Sequence, residues 1–185
     1  MRTPPFQAPV IAPTSAAGSA LHVGVGALAV AQAGAPGSTQ TLITYALGSC
    51  IGVTLYDPMS RVGGLLHFML PESAANPTRA ATCPAMFADS GIELLFQRAE
   101  RLGCNAQRII VCAAGGAEIL AGDSHFRIGA RNRTMLRRVL WQRNLLLRAQ
   151  DIGGSHSRTL ALSLVDGAVT VRSQGRETVL WKAPA

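Results

Sequence analysis

The sequence predicts an α+β fold, a single domain of mixed and antiparallel β-sheets packed with two main helices. Three observations carry that expectation. Short apolar runs recur along the chain, separated by Gly, Pro, Asp and Asn signals, so most of it reads as strand. Two stretches, 84–103 and 129–144, carry apolar residues at helical spacing. The chain has 185 residues, 48% of them hydrophobic, which suits one domain able to bury its own core.

Taken in order, residues 1–20 are rich in Pro, Ala, Ser and Thr and read as a disordered tail, leaving 21–185 as the folded domain. Leu21 to Ala31 reads as a first strand, 34–38 as a turn, and Thr39 to Ala46 as a second strand. Two apolar runs then flank Asp57-Pro58-Met59-Ser60, which is a hairpin signal. The stretch from Pro71 to Pro84 reads as a long polar loop. In the first helix Ile92, Leu95, Phe96, Ala99 and Leu102 share one face, with Gly103 as the stop. A strand at 108–113 turns at Gly115-Gly116. The second helix is expected to turn Met135, Val139 and the apolar part of Trp141 inward. Residues 145–150, 159–164, 168–172 and 178–181 read as late strands, with Asp166-Gly167 a strong hairpin turn.

The hairpin holds the one compact route to chemistry. A turn centred on Pro58-Met59 pairs Asp57 with Ser60, and hence Cys50 with His67. Directly opposed residues share a face, with Cβ atoms roughly 4.5–5.5 Å apart. Ile51, Val53 and Leu55 then form the apolar face, with Cys50 and His67 on the other. An imidazole beside a thiol favours the thiolate, an activated nucleophile. A one-residue slip, such as a bulge at Gly63-Gly64, would separate the pair. Cysteine is also among the most often buried residue types, so geometry alone leaves catalysis and coincidence both open.

Other classes of function find little support. The Gly24-Val25-Gly26 run mimics a dinucleotide fingerprint, but no helix pattern follows and no acidic residue occurs before Asp57. Cys50, Cys83, Cys104 and Cys112 show no metal-ligand spacing. Cys104 and Cys112 read as structural, and Cys83 as a spectator thiol in a loop. No apolar run reaches the roughly 20 residues of a membrane span, and no export signal is legible, so the cytoplasm is the expected location. The net charge of +7 gathers in an arginine cluster from Arg127 to Arg148. The aromatic residues do not interleave with it, so it reads as a solvated face suited to an acidic protein partner, without nucleic-acid binding.

A family resemblance sharpens this picture. The string Thr44-Tyr45-Ala46-Leu47-Gly48-Ser49-Cys50, followed by Gly63-Gly64-Leu65-Leu66-His67-Phe68-Met69-Leu70-Pro71, resembles the CheD family of chemoreceptor glutamine deamidases. The likeness continues at Phe87-Ala88-Asp89-Ser90, Ala114-Gly115-Gly116-Ala117, Ile128-Gly129-Ala130-Arg131-Asn132 and Asp151-Ile152-Gly153-Gly154, and runs from about His22 to Val171. Phe87 and Ala114 depart from the usual Tyr and Phe. The resemblance implies catalytic Cys50, His67 and Thr44, with no metal or organic cofactor. It implies chemoreceptors as substrate, methyl-ester hydrolysis as a second activity, and a CheC-type phosphatase as partner. It also leaves an alternative, a regulatory module that binds receptors and such a phosphatase without turnover.

Overall fold

The computed structural model describes residues 19–34, 38–118 and 127–183. The expected tail lies almost wholly outside the described residues, as does most of the 34–38 turn. Ten strands form two five-stranded sheets. The first sheet has the order β1(Ala20–His22), β3(Thr41–Leu47), β8(Arg158–Ser163), β9(Val169–Ser173), β10(Arg176–Trp181). The second has the order β2(Ala27–Gln32), β5(Val62–Phe68), β4(Ile51–Asp57), β6(Ile110–Gly115), β7(Leu147–Ile152). Pairing is antiparallel except for β1 with β3 and β6 with β7. Two long helices, α2(Ala88–Arg101) and α3(Ile128–Gln142), and a short one, α1(Pro77–Thr82), complete the α+β domain.

The layers follow from which residues each element buries. Ile51, Val53, Leu55, Leu66 and Phe68 face one way from β4 and β5, and pack on Ile92, Leu95 and Phe96 of α2 and Leu136 of α3. Leu47, Leu65, Leu160, Leu162 and Val171 fill a second core between the two sheets. Every residue of β4 and β5 is buried as a result. The hairpin is the central layer, so its second face meets another sheet rather than solvent. Gly63 is the residue that lets the sheets close, since a Cβ there would press on Leu162 and Leu164.

Several sequence expectations are corrected here. The single first strand is two strands in different sheets. The chain turns between them at Gly26, whose φ of +69° favours glycine. The hairpin connection is Pro58–Arg61, not a two-residue turn centred on Pro58-Met59: Asp57 pairs with Val62 and His67 with Gly52. The Asp57 carboxylate accepts the Met59 amide at 3.0 Å, and Arg61 closes the loop at φ +52°, which lengthens the turn. The shift is even, so Cys50 and His67 keep a common face but are diagonal rather than opposed. Gly63 and Gly64 pair in register without a bulge. The 71–84 loop contains α1, whose first turn is capped by Asn76 accepting the Arg79 amide. Trp141 is exposed, because the inward face of α3 runs through Met135, Leu136, Val139 and Leu140.

Asp57 also anchors the distal end of the hairpin. Burial opposes its ionisation, but Arg108 and the amides of Asn105 and Met59 override that and hold the carboxyl far below its usual range. Asp57→Ala would orphan these donors, and we expect a loss of about 2 kcal/mol of stability. A depressed carboxyl stabilises the fold above its unfolded pKa and loses that contribution as pH falls. The difference in Tm between wild type and Asp57→Ala should therefore shrink from pH 7 toward pH 3; a constant difference would contradict the assignment.

Candidate active site

Thr44, Cys50 and His67 come from three different pieces of chain. His67 lies on β5 at the centre of the second sheet, 1% exposed. Thr44 lies on β3 of the other sheet, fully buried. Thr44 reaches His67 across the interface between sheets. Gly52, directly opposite His67, opens the way for it. A Cβ at position 52 would stand 2.8 Å from Leu160 Cδ2 and 3.3 Å from Thr44 Cγ2.

The hydrogen bonds fix the imidazole tautomer. Thr44 Oγ1 donates to the Val23 carbonyl at 2.7 Å, and a carbonyl can only accept. The same oxygen is 2.7 Å from His67 Nδ1, so Nδ1 carries the hydrogen and donates to it. Nε2 is then unprotonated, and it is buried without a hydrogen-bond partner among the described residues. Burial, with a smaller contribution from His22, pushes the His67 pKa down to about 4. The imidazole is neutral at pH 7 with its free lone pair on Nε2.

Cys50 ends the bend at 48–50 just before β4 and is half-buried against the inter-sheet core, the side His67 faces. Burial raises its thiol pKa, opposed by its own backbone amide. Burial thus opposes at rest the thiolate that a neighbouring imidazole would favour, and both groups are neutral. Cys104 and Cys112 are buried and pushed up to about 11. Cys83 is half-buried and donates to the Gly26 carbonyl at 3.3 Å.

Backbone and side-chain bonds hold the cysteine loop from behind. The Gly116 amide donates to Cys50 O and the Ala117 amide to Gly48 O, both at 2.7 Å. A Cβ on Gly115, whose φ is +110°, would run into the Cys50 carbonyl. Arg133 of α3 donates to Gly116 O, and the Gly153 amide donates to Gly115 O at 2.8 Å. Buried Arg158 in turn binds Gly153 O at 2.6 Å and Asp151 Oδ1 at 2.8 Å. The Gly-Gly-Ala and Asp-Ile-Gly-Gly motifs thus form one brace under Cys50. The Phe87–Ser90 motif does similar work nearby: the Asp89 carboxylate accepts the Ser73 amide and hydroxyl, pinning the 71–84 segment.

Sequence reasoning missed Asn132. It is fully buried, and its Nδ2 donates at 2.9 Å to both Ser49 O and Met69 O. It ties the cysteine loop to the end of the histidine strand. The signal was its place in the 128–132 motif, which carried no role. Asn132→Asp would replace two donors with a carboxylate facing two carbonyls. We expect about 3 kcal/mol of destabilisation and a fall in kcat larger than any rise in KM. Unchanged turnover would show that the tie does not position the cysteine.

This is a three-layer β-β-α domain in which a buried histidine of fixed tautomer is hydrogen-bonded to a threonine across the inter-sheet core, with a half-buried cysteine packed against that same core. The sequence model described as CheD chemotactic sensory transduction matches residues 69–173. The matched stretch begins just after His67, but relatives align over more of the chain. A "Probable chemoreceptor glutamine deamidase CheD 1" of Syntrophus aciditrophicus is 48% identical, covering 72% of this chain and 84% of the relative. A "Probable chemoreceptor glutamine deamidase CheD" of Solibacter usitatus is 43% identical, over 76% and 83% of the two chains. One from Archaeoglobus fulgidus is 38% identical, over 89% and 99%. The chain belongs to the CheD family.

Among solved structures, Bacillus licheniformis hypothetical protein YfiH matches with a TM-score of 0.34 at 16% identity, over 64% of this chain and 51% of that one. Among the described residues no helix is long and apolar enough to cross a membrane, and no group of His, Cys, Asp and Glu is arranged to hold a metal ion.

Proposed function

We propose that the protein hydrolyses glutamine side-chain amides of a chemoreceptor to glutamate and ammonia, with Cys50 as nucleophile, His67 as base and Thr44 as the group that orients the base. The observation that carries this reading is the hydrogen-bond chain from Val23 O through Thr44 Oγ1 to His67 Nδ1, which leaves Nε2 as a bare buried acceptor on the face shared with Cys50. A histidine serving only the core would have both nitrogens satisfied. The names of the relatives supply the substrate class.

The chemistry closes without a cofactor. As the substrate carboxamide binds, Nε2 takes the Cys50 proton and Sγ bonds to the carboxamide carbon. The imidazolium returns the proton to nitrogen as the C–N bond breaks, releasing ammonia and leaving a glutamyl thioester. Water then gives a proton to Nε2 and attacks the thioester, the C–S bond breaks, and the thiolate recovers its proton. Because the thiol is neutral at rest, nucleophile formation is coupled to substrate binding. Oxyanion donors come from the Ser49 and Cys50 amides: Gly48 N–H is already spent on Ala46 O at 2.9 Å, whereas neither of these two donates to another residue's backbone among the described residues.

Incubation with receptor cytoplasmic fragments, followed by peptide mass spectrometry, tests the proposal. Glutamine-to-glutamate conversion at defined positions, with stoichiometric ammonia, is expected. Receptor binding without conversion would leave only the regulatory module; methanol released from a methyl-esterified receptor would add the esterase activity.

A further inference from the structure

The outer face of α3 carries a feature that the hydrolytic site does not use. Arg127, Arg131, Thr134 and Arg138 follow the spacing i, i+4, i+7, i+11, so they form one stripe along the helix. At 1.5 Å per residue the stripe is about 16 Å long. The opposite face of the same helix holds Asn132 against the cysteine loop and packs Leu136 into the core. The stripe borders a cleft of about 390 Å³ whose far wall is Pro71 and Glu72. Arg131 and Arg138 make no ion pair among the described residues, while Arg127 shares Glu118 with Arg133.

The cleft lies near the cysteine loop, because α3 supplies both its arginine wall and Asn132, which binds Ser49 O and Met69 O. The β4–β5 register, carried one step past Ile51 and Phe68, sets Cys50 beside Met69. A strand rise of about 3.3 Å per residue puts Pro71 about 7 Å further on. An occupant of the cleft therefore passes close to the Cys50 loop.

We propose that this cleft binds an acidic helical segment of the substrate protein, with carboxylates seated on Arg131 and Arg138 while a neighbouring glutamine enters the Cys50 site. The inference rests on the deamidase reading for its target residue. Helical spacing of the arginines matches carboxylates repeated on one face of a partner helix. Among the described residues no aromatic side chain lines the cleft to stack a base, which disfavours nucleic acid.

The test uses two fluorescein-labelled, alanine-based helical peptides, each with one central glutamine. One carries glutamates along a single face at the arginine spacing; the other carries lysines there. The acidic peptide should bind wild type at least about tenfold more tightly than the basic one, with affinity falling as sodium chloride is raised. In Arg131→Glu/Arg138→Glu, Kd and KM for the acidic peptide should rise about tenfold or more, kcat should stay within about twofold, and the preference should shift toward the lysine peptide. Equal binding of both peptides to wild type, or a variant that loses only a single-stranded oligonucleotide, would overturn the proposal. Arginine-dependent binding of the acidic peptide without conversion would uphold the cleft and refute the deamidase reading, so the two failures are distinct.

Discussion

Cys50→Ala is expected to abolish glutamine conversion, by about 10⁴-fold or more, while receptor affinity stays within about twofold of wild type. The backbone argues that the variant will fold with its site intact. The loop is held by Gly116 N–H on Cys50 O, Ala117 N–H on Gly48 O and Asn132 Nδ2 on Ser49 O, and none of these uses the thiol. Removing one half-buried sulfur atom should cost less than about 1 kcal/mol. The lost rate is then attributable to chemistry. Cys83→Ala is the matched control, since Cys83 is the other half-buried cysteine and its sulfur is committed to Gly26 O. It should convert receptor at the wild-type rate. Ammonia release and the amide-to-acid mass change in receptor peptides give the readout. Retained conversion in Cys50→Ala, or its loss in Cys83→Ala, would move the nucleophile elsewhere.

How far the sequence disclosed this arrangement depends on the range of the contacts involved. Both long helices and nearly every strand were legible, because each rests on a local period and local stop signals. The face shared by Cys50 and His67 was also legible, since parity survives an even error in register. What failed were features set by distant partners. The Asp57–Met59 hydrogen bond and the αL residue Arg61 lengthened the hairpin loop by two residues. The first strand broke because its halves pair with β3 and β5, in different sheets. Thr44 was named through the resemblance alone, because its contact with His67 is made between layers, a relation invisible to strand order. Asn132 and Arg158 act on backbone carbonyls more than on other side chains, and such a role has no spacing rule to reveal it.

The tautomer lock makes the second large prediction. His67→Ala should be nearly as damaging as Cys50→Ala, and the double variant no worse than either, because nucleophile and base act as a unit. Thr44 separates positioning from bond making. Thr44→Val keeps shape but leaves Nδ1–H facing a methyl group, so a buried donor is orphaned and the imidazole can turn over. Its kcat should fall on the order of 10–1000-fold with KM little changed, while Thr44→Ser, which restores the oxygen, should recover most of the rate. The pH dependence carries the same logic. With the His67 pKa at about 4, the base remains competent well below the usual histidine range. The acid limb of kcat/KM should therefore lie near pH 4 rather than near 6.5, provided the protein stays folded. Folding pulls the other way. Unfolded His67 binds a proton at about 6.5 that the native state refuses until about 4, so stability is full above the unfolded pKa and drains as pH falls between those values, by roughly 3 kcal/mol in total. His67→Gln removes that titration, so its unfolding free energy should vary less than wild type's from pH 7 to pH 4 in chemical denaturation. An acid limb near 6.5 together with parallel stability curves would mean that His67 is not held neutral by burial, and the lock on Nε2 would have to be abandoned.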